Sequence, residues 1–152
     1  MCKYGVMKIS TRSDYAVRAL LSLALHQSDW ESGCPTSVKE IAERTDLPQP
    51  YLEQILLAVK GAGLVRSKRG IGGGYNLTRS PDQINLAEII AAVEGPLVQP
   101  LGQHDHCEGH CVLQEIWIAA AEERRQNLER VTIGELVRRT RTGHQEQSAA
   151  AS

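Results

Sequence analysis

The chain has 152 residues, 41% of them apolar, with no Phe and 4% aromatics, which suits one helical domain with a Leu/Ile/Val/Ala core, or one domain plus an appendage. No uninterrupted apolar run approaches the ~20 residues that span a bilayer, and the opening MCKYGVMKIS lacks the apolar core of a secretory signal, so a cytoplasmic protein with no membrane partner is expected. A net charge of −1 would argue against a polyanion binder if it were spread evenly, but residues 1–80 carry 11 Lys/Arg and 7 Asp/Glu, net +4, while residues 81–152 carry 6 and 11, net −5.

Met7-Lys-Ile-Ser10 reads as a second start site, which leaves Cys2 a terminal thiol. Apolar residues at 16, 17, 20, 21, 23, 24 and 25 predict an amphipathic helix over 12–27 with a wide buried face. Ser13 or Asp14 stands near its N-terminus, where an acceptor or a negative charge is favoured. Residues 28–36 form a polar loop broken by Gly33 and Pro35, with Cys34 as a plain loop residue.

Ser37-Val-Lys-Glu40 has the form of a capping box, and the helix it starts reaches about Thr45 with Val38, Ile41 and Ala42 inward. Asp46-Leu-Pro-Gln-Pro50 is the turn. A second helix follows from Tyr51 to about Gly61, with Leu52, Ile55, Leu56 and Val59 on its core face and Tyr51, Glu53, Gln54 and Lys60 outward. Gly61 and Gly63 stop it. Residues 64–68 and 75–78 read as a strand and its return, joined by Arg69-Gly-Ile-Gly-Gly-Gly74. Arg66, Lys68 and Arg69 just before the glycines point to phosphate or minor-groove contact. A dinucleotide loop is excluded because a strand, not a helix, follows the glycines. Helix, turn, helix and basic hairpin together predict a mainly α fold, a winged helix-turn-helix that binds double-stranded DNA.

Asn85 to Glu94 is another capped helix, ended by Gly95-Pro96. After an irregular loop, a long helix runs from Cys111 to about Arg130 with Leu113, Ile116, Trp117, Ala120 and Leu128 on one face. At ~30 Å it overhangs a compact winged-helix unit, so its apolar side calls for a second copy in an antiparallel homodimer. A short helix over 132–137 and a disordered tail from Gly143 complete the chain. The implied division is a DNA-binding domain over 1–80, a cofactor loop and dimerisation helix over 81–142, and a tail over 143–152.

Cys107 and Cys111, with His104, His106 and His110, crowd one loop. Thiolates and imidazoles at this spacing suit zinc or another transition metal, and two bare thiols suit redox chemistry without a cofactor. His106-Cys-Glu-Gly-His110 is no zinc-protease motif, since its glutamate is one place late and its glycine breaks the helix. No nucleophile–base constellation is present, so no enzyme is expected. A winged-helix adaptor for a protein partner is the rival class, and it would show little salt-dependent DNA affinity.

Met-Lys-Ile-Ser-x-x-x-Asp-Tyr-Ala-x-Arg-Ala-Leu at 7–20, Pro-Tyr-Leu-Glu-Gln at 50–54, Gly-Leu-Val-x-Ser-x-Arg-Gly at 63–70, Gly-Gly-Gly-Tyr-x-Leu at 72–77 and Thr-Ile-Gly-Glu-Leu-Val at 132–137 resemble the IscR/NsrR-like (BadM-type) transcription regulators. The resemblance implies a homodimer on a palindromic operator, often sensing through an iron–sulfur cluster. It places the helix starting near Pro50 in the major groove, with Tyr51, Glu53 and Gln54 as contacts. It places the wing, including Gly73 and Tyr75, in the minor groove, with Arg69 inserted and Arg66 and Lys68 on phosphates. Cluster-bearing members usually carry three cysteines before the long helix, and this chain has two there. The resemblance therefore implies a 2Fe–2S cluster on Cys107 and Cys111 with Asp14 as a carboxylate ligand from the partner.

Overall fold

A computed structural model of the chain describes residues 8–27, 31, 33–99 and 108–150. The described residues hold six α-helices and one two-stranded antiparallel sheet. The helices are α1 (Thr11–His26), α2 (Val38–Thr45), α3 (Gln49–Gly61), α4 (Leu86–Glu94), α5 (His110–Glu129) and α6 (Ile133–Ala150), and the strands β1 (Val65–Lys68) and β2 (Gly74–Leu77) lie between α3 and α4. The mainly α winged helix-turn-helix read from the sequence is the observed fold.

Local chemistry sets most boundaries. Ser10 caps α1, its hydroxyl accepting from the Ser13 N–H at 3.1 Å, and Asp14 supplies the expected negative charge in the first turn. Ser37 and Glu40 form both arms of the expected capping box on α2, and Asn85 and Glu88 do the same on α4. Asp46 ends α2 in the left-handed region, φ 55°, which turns the chain toward α3. Helix α3 starts at Gln49, earlier than the expected Tyr51, because Pro50 is accommodated in a first turn whose N–H groups have no helical partner.

The core is Leu20 and Leu23 of α1, Ile41 of α2, Leu52, Ile55, Leu56 and Val59 of α3, Leu64 and Leu77 at the sheet, and Ile84, Ile89 and Ile133, all essentially without solvent contact. Ile133 and Val137 of α6 belong to this same cluster. A boundary at residue 80 thus does not separate two cores. The backbone explains why: Leu86 N–H donates to Val131 O at 3.0 Å and Ile133 N–H to Ile84 O at 2.9 Å, tying the start of α6 to the start of α4. Gly134 has no room for a Cβ because the Asp82 carboxylate occupies that space, and Arg138 pairs with Asp82 at 2.7 Å. Periodicity shows which face of 132–137 is apolar, but not what covers it.

Helix α6 also corrects the expected tail. It continues through 143 to Ala150, where a short helix and then disorder were expected. The stretch His-Gln-Glu-Gln-Ser-Ala-Ala after Gly143 holds no proline and mostly helix-compatible residues, so a helix nucleated at the packed Ile133 end propagates.

Helix α5 differs from the others in having no buried residue. Val112, Leu113, Ile116 and Trp117 are 49–64% exposed and form one stripe at i, i+1, i+4, i+5. Glu122 and Glu129 both pair with Arg125 on its polar side.

Candidate nucleic-acid interface and cysteine site

Burial of Leu52, Ile55, Leu56 and Val59 fixes how α3 is rotated, and this leaves Pro50, Tyr51, Glu53 and Gln54 in solvent. Gln49 Nε2 reaches Glu53 Oε1 at 3.5 Å, one turn on along the same face. The ring of Tyr51 stands edge-on to that of Tyr15 of α1, with centroids 5.7 Å apart and an interplanar angle of 89°. Leu57 extends the exposed face and is 61% accessible. Neither the aromatic pair nor Leu57 was singled out from sequence, because helical periodicity predicts neither contact partners nor exposed apolar side chains.

The wing is held rather than loose. Val65 to Lys68 pair with Leu77 to Gly74 in register, and Gly73 N–H donates to Gly70 O at 3.0 Å across the tip. Gly72, third in that turn, has φ 73°, the glycine-favouring position of a type II turn. A Cβ on Gly73 would collide with the Lys68 carbonyl oxygen, and one on Gly74 with the backbone of Thr36. Thr36 and Tyr75 exchange two backbone hydrogen bonds, at 3.0 and 2.8 Å, fastening β2 to the segment before α2. Asn76 Nδ2 donates to Gly33 O at 2.6 Å and strengthens the same seam.

Arg66, Lys68 and Arg69 are exposed along this hairpin. The Arg66 guanidinium donates to Glu31 O at 3.0 Å, so it braces the preceding loop as well as adding charge. Tyr75 is half-buried, packed on the core and bound by its backbone to Thr36. Gly73 and Tyr75 thus shape the wing, while Lys68 and Arg69 are presented by it.

Of the metal-site candidates, Cys107, His104 and His106 lie outside the described residues. Cys111 and His110 sit exposed in the first turn of α5, after Gly109 in a left-handed conformation. His110 Nε2 lies 3.1 Å from Gln114 Nε2 one turn on. Cys111 is disulfide-bonded. Asp14 lies on the first turn of α1, partly exposed and paired with Arg18 at 2.9 Å. Among the described residues, no three His, Cys, Asp or Glu side chains converge as a metal site would need.

A second network places the start of α1 relative to α5. The Ser10 hydroxyl donates to the Glu94 carboxylate at the end of α4. This bond, with the Arg124 guanidinium adding, holds the Glu94 carboxyl below the usual carboxylate range. Asp14 follows one turn after Ser10 on α1, its N–H donating to Ser10 O at 3.0 Å, while Arg124 belongs to α5. Cys111 is thirteen residues earlier on that helix, roughly 20 Å along its axis.

The sequence pattern of the Rrf2 family, described as an iron-dependent transcriptional regulator, matches residues 9–139. An HTH-type transcriptional regulator of Synechocystis sp. is 46% identical over 74% of this chain and 71% of its own length. Among solved structures, CymR of B. subtilis, the global cysteine regulator, has a TM-score of 0.69 and 34% identity over 87% of this chain and 97% of that one. IscR of T. potens has a TM-score of 0.69 and 34% identity over 88% of each chain.

Proposed function

Since the chain belongs to the Rrf2 family of DNA-binding transcriptional regulators, we propose that it acts as a homodimer on a palindromic operator and responds to redox or iron–sulfur status at Cys107 and Cys111. The observation that carries the DNA-binding half is the continuous presentation of Tyr51, Glu53 and Gln54 on α3 beside a braced, basic wing. Inserted in the major groove, Tyr51 and Gln54 donate to phosphates or base edges. Glu53 accepts from cytosine N4 and disfavours bases that cannot donate there. Arg69 enters the minor groove and Lys68 neutralises phosphate.

Two such units need a separation of one helical turn of DNA, ~34 Å, to meet both half-sites. The bare stripe on α5 is the surface that sets this spacing when paired with itself. An antiparallel α5 pair would also carry each Cys111 toward the Arg124 end of its partner, and Arg124 acts on the Glu94 carboxylate that the Ser10 hydroxyl at the start of α1 binds. Ligation across the dimer would draw the two cysteines from one protomer and Asp14 from the other.

The donor set fits a 2Fe–2S cluster in chemistry: thiolates of Cys107 and Cys111 from one protomer, a carboxylate from the other, and His110 close by as a harder donor. When bound, a cluster supplies an electron-accepting centre whose potential depends on this mixed ligation. The protein's part is to hold the donors across the dimer, so that loss of ligation frees α5 and shifts the population of dimer shapes that match the operator. The disulfide at Cys111 favours a second reading, a cofactor-free thiol–disulfide switch at the same residues. Zinc on Cys107, Cys111 and the neighbouring histidines is the third.

Anaerobic purification, with a visible spectrum and iron, sulfide, zinc and free-thiol assays on one sample, separates these readings. Near-equal iron and sulfide with 400–500 nm absorption, roughly the sulfide-to-iron charge-transfer region, supports the cluster. A colourless protein after reconstitution rejects it, and zinc or reversible thiol loss then identifies which alternative holds. Salt-dependent binding to a selected duplex tests the DNA reading independently.

A further inference from the structure

Ile71 occupies the tip of the wing and its side chain is fully exposed. It is the second residue of the Gly70–Gly73 turn, the corner from which a side chain projects outward. The turn is not a floppy loop. A backbone hydrogen bond closes it, Gly73 packs beneath it against the Lys68 carbonyl, and the two strands meet at Lys68 and Gly74. A large β-branched side chain is thus displayed at a fixed point, shortly after two cations.

An isolated apolar side chain on a surface ordinarily calls for no account. This one stands at the end of a basic hairpin, so the charge of Lys68 and Arg69 selects its surroundings: a polyanion whose groove has an apolar interior. We infer that Ile71 is an apolar wedge that enters the minor groove of duplex DNA and partly unstacks one base step. This rests on the DNA-binding reading above and deepens it. Arg69 in the groove and Lys68 on the phosphate hold the tip in place while the branched side chain presses between neighbouring base pairs. Unstacking is easiest at pyrimidine–purine steps such as TA and CA/TG and hardest in stiff A-tracts. The wedge would therefore read DNA deformability at a position where no hydrogen bond specifies a base.

The test uses full-length protein and a random-sequence duplex pool, since no operator is assumed. Wild type, Ile71→Ala and Arg69→Ala each select from the same pool. The wild-type selection should enrich a pyrimidine–purine step where the wing meets the minor groove. The Ile71→Ala selection should return the same major-groove half-sites without that step, with less than about a tenfold loss of affinity, because the attraction between wedge and bases is largely offset by the cost of unstacking them. Arg69→Ala should instead weaken binding to every selected sequence. In a selected duplex carrying 2-aminopurine at the step, fluorescence should rise on binding wild type and stay flat with Ile71→Ala. Equal melting of wild type and Ile71→Ala by circular dichroism checks that only the tip has changed. The same step preference in both selections, or no fluorescence rise with wild type, overturns the wedge while leaving DNA binding intact. Failure of all three proteins to enrich any sequence removes the DNA-binding reading itself, and the wedge with it.

Discussion

The ring of Tyr51 on α3 rests edge-on against the ring of Tyr15 on α1, 5.7 Å away. Tyr15 adjoins Asp14, so the candidate sensing residue and the first turn of the recognition helix are linked through one aromatic pair. Edge-to-face pairs contribute about 0.5–1.5 kcal/mol beyond the area they bury. Tyr15→Ala should therefore lower DNA affinity by up to about tenfold although Tyr15 does not face the groove. Tyr15→Phe keeps the ring and should bind as wild type. Fluorescence anisotropy with a labelled duplex measures both, and equal binding by Tyr15→Ala would show that the pair does not position α3.

The wing glycines make a sharper contrast. Gly73→Ala and Gly74→Ala each drive a Cβ into a backbone carbonyl, that of Lys68 or Thr36. The hairpin must open or slide, at a cost of order 1–3 kcal/mol. Both variants should lose DNA affinity by about tenfold or more. Gly61→Ala is the control: it lies at the end of α3 with open space around it, and should raise stability by up to about 1 kcal/mol. Thermal melts and binding titrations on the three proteins distinguish strain from a general intolerance of alanine.

Salt dependence separates the roles of the three wing cations. Each phosphate contact removed should lower the magnitude of the log–log salt slope by about one unit per wing. Lys68→Ala is expected to show this reduction, and so is Arg69→Ala, because a guanidinium in the minor groove also displaces condensed counterions. Arg66 donates to Glu31 O, so Arg66→Ala should show a smaller slope change together with a lower melting temperature. A slope change as large as that of Lys68→Ala would mean that Arg66 leaves the loop to reach DNA.

Most of the DNA-facing unit was legible because its signals are local. Capping pairs such as Ser37–Glu40 and Asn85–Glu88, the proline in the first turn of α3 and the glycines of the wing act within four or five residues. What escaped is set by contacts between distant segments. The seam of Tyr75 on Thr36, the pinning of α6 by Asp82 and Arg138, and the Tyr15–Tyr51 pair leave no periodic trace. The same limit explains the misread tail: the apolar face at Ile133 was visible, but not α1 and the Pro81–Gln83 turn that anchor it and let the helix run on. At the cysteine site, composition alone exposed Cys107 and Cys111, and composition does not choose between a cluster, a metal ion and a disulfide.

Ser10 and Glu94 tie the start of α1 to the end of α4. The Glu94 carboxyl is held below its ordinary value, so its ionised form is the one the folded state prefers. Stability from this link is therefore present above the unfolded-state pKa, about 4.3, and is lost as pH falls through the lower folded value. Glu94→Gln should melt below wild type at neutral pH, and the difference should fade as the pH drops below about 4. A difference independent of pH would assign the effect to packing rather than to charge.

The proposed trans ligation by Asp14 and Cys111 has a test that no single substitution provides. Asp14→Ala and Cys111→Ala each remove one ligand class from both sites of a homodimer. In a mixed dimer of the two chains, one site combines the intact Cys107 and Cys111 of the first chain with the intact Asp14 of the second. The other site has lost both. If ligands come from opposite protomers, the mixed dimer should hold one cluster where wild type holds two, measured as iron and sulfide per dimer after anaerobic reconstitution. If ligands come from one protomer, every site in the mixed dimer is defective in the same way as in the parent homodimers, and none should load. Arg124, roughly 20 Å along α5 from Cys111, acts on the Glu94 carboxylate that binds Ser10 one turn before Asp14, and in an antiparallel α5 pair this makes the first outcome the expected one. Full loading of the Asp14→Ala homodimer would instead remove Asp14 from the ligand set and leave the cysteines with a different third donor.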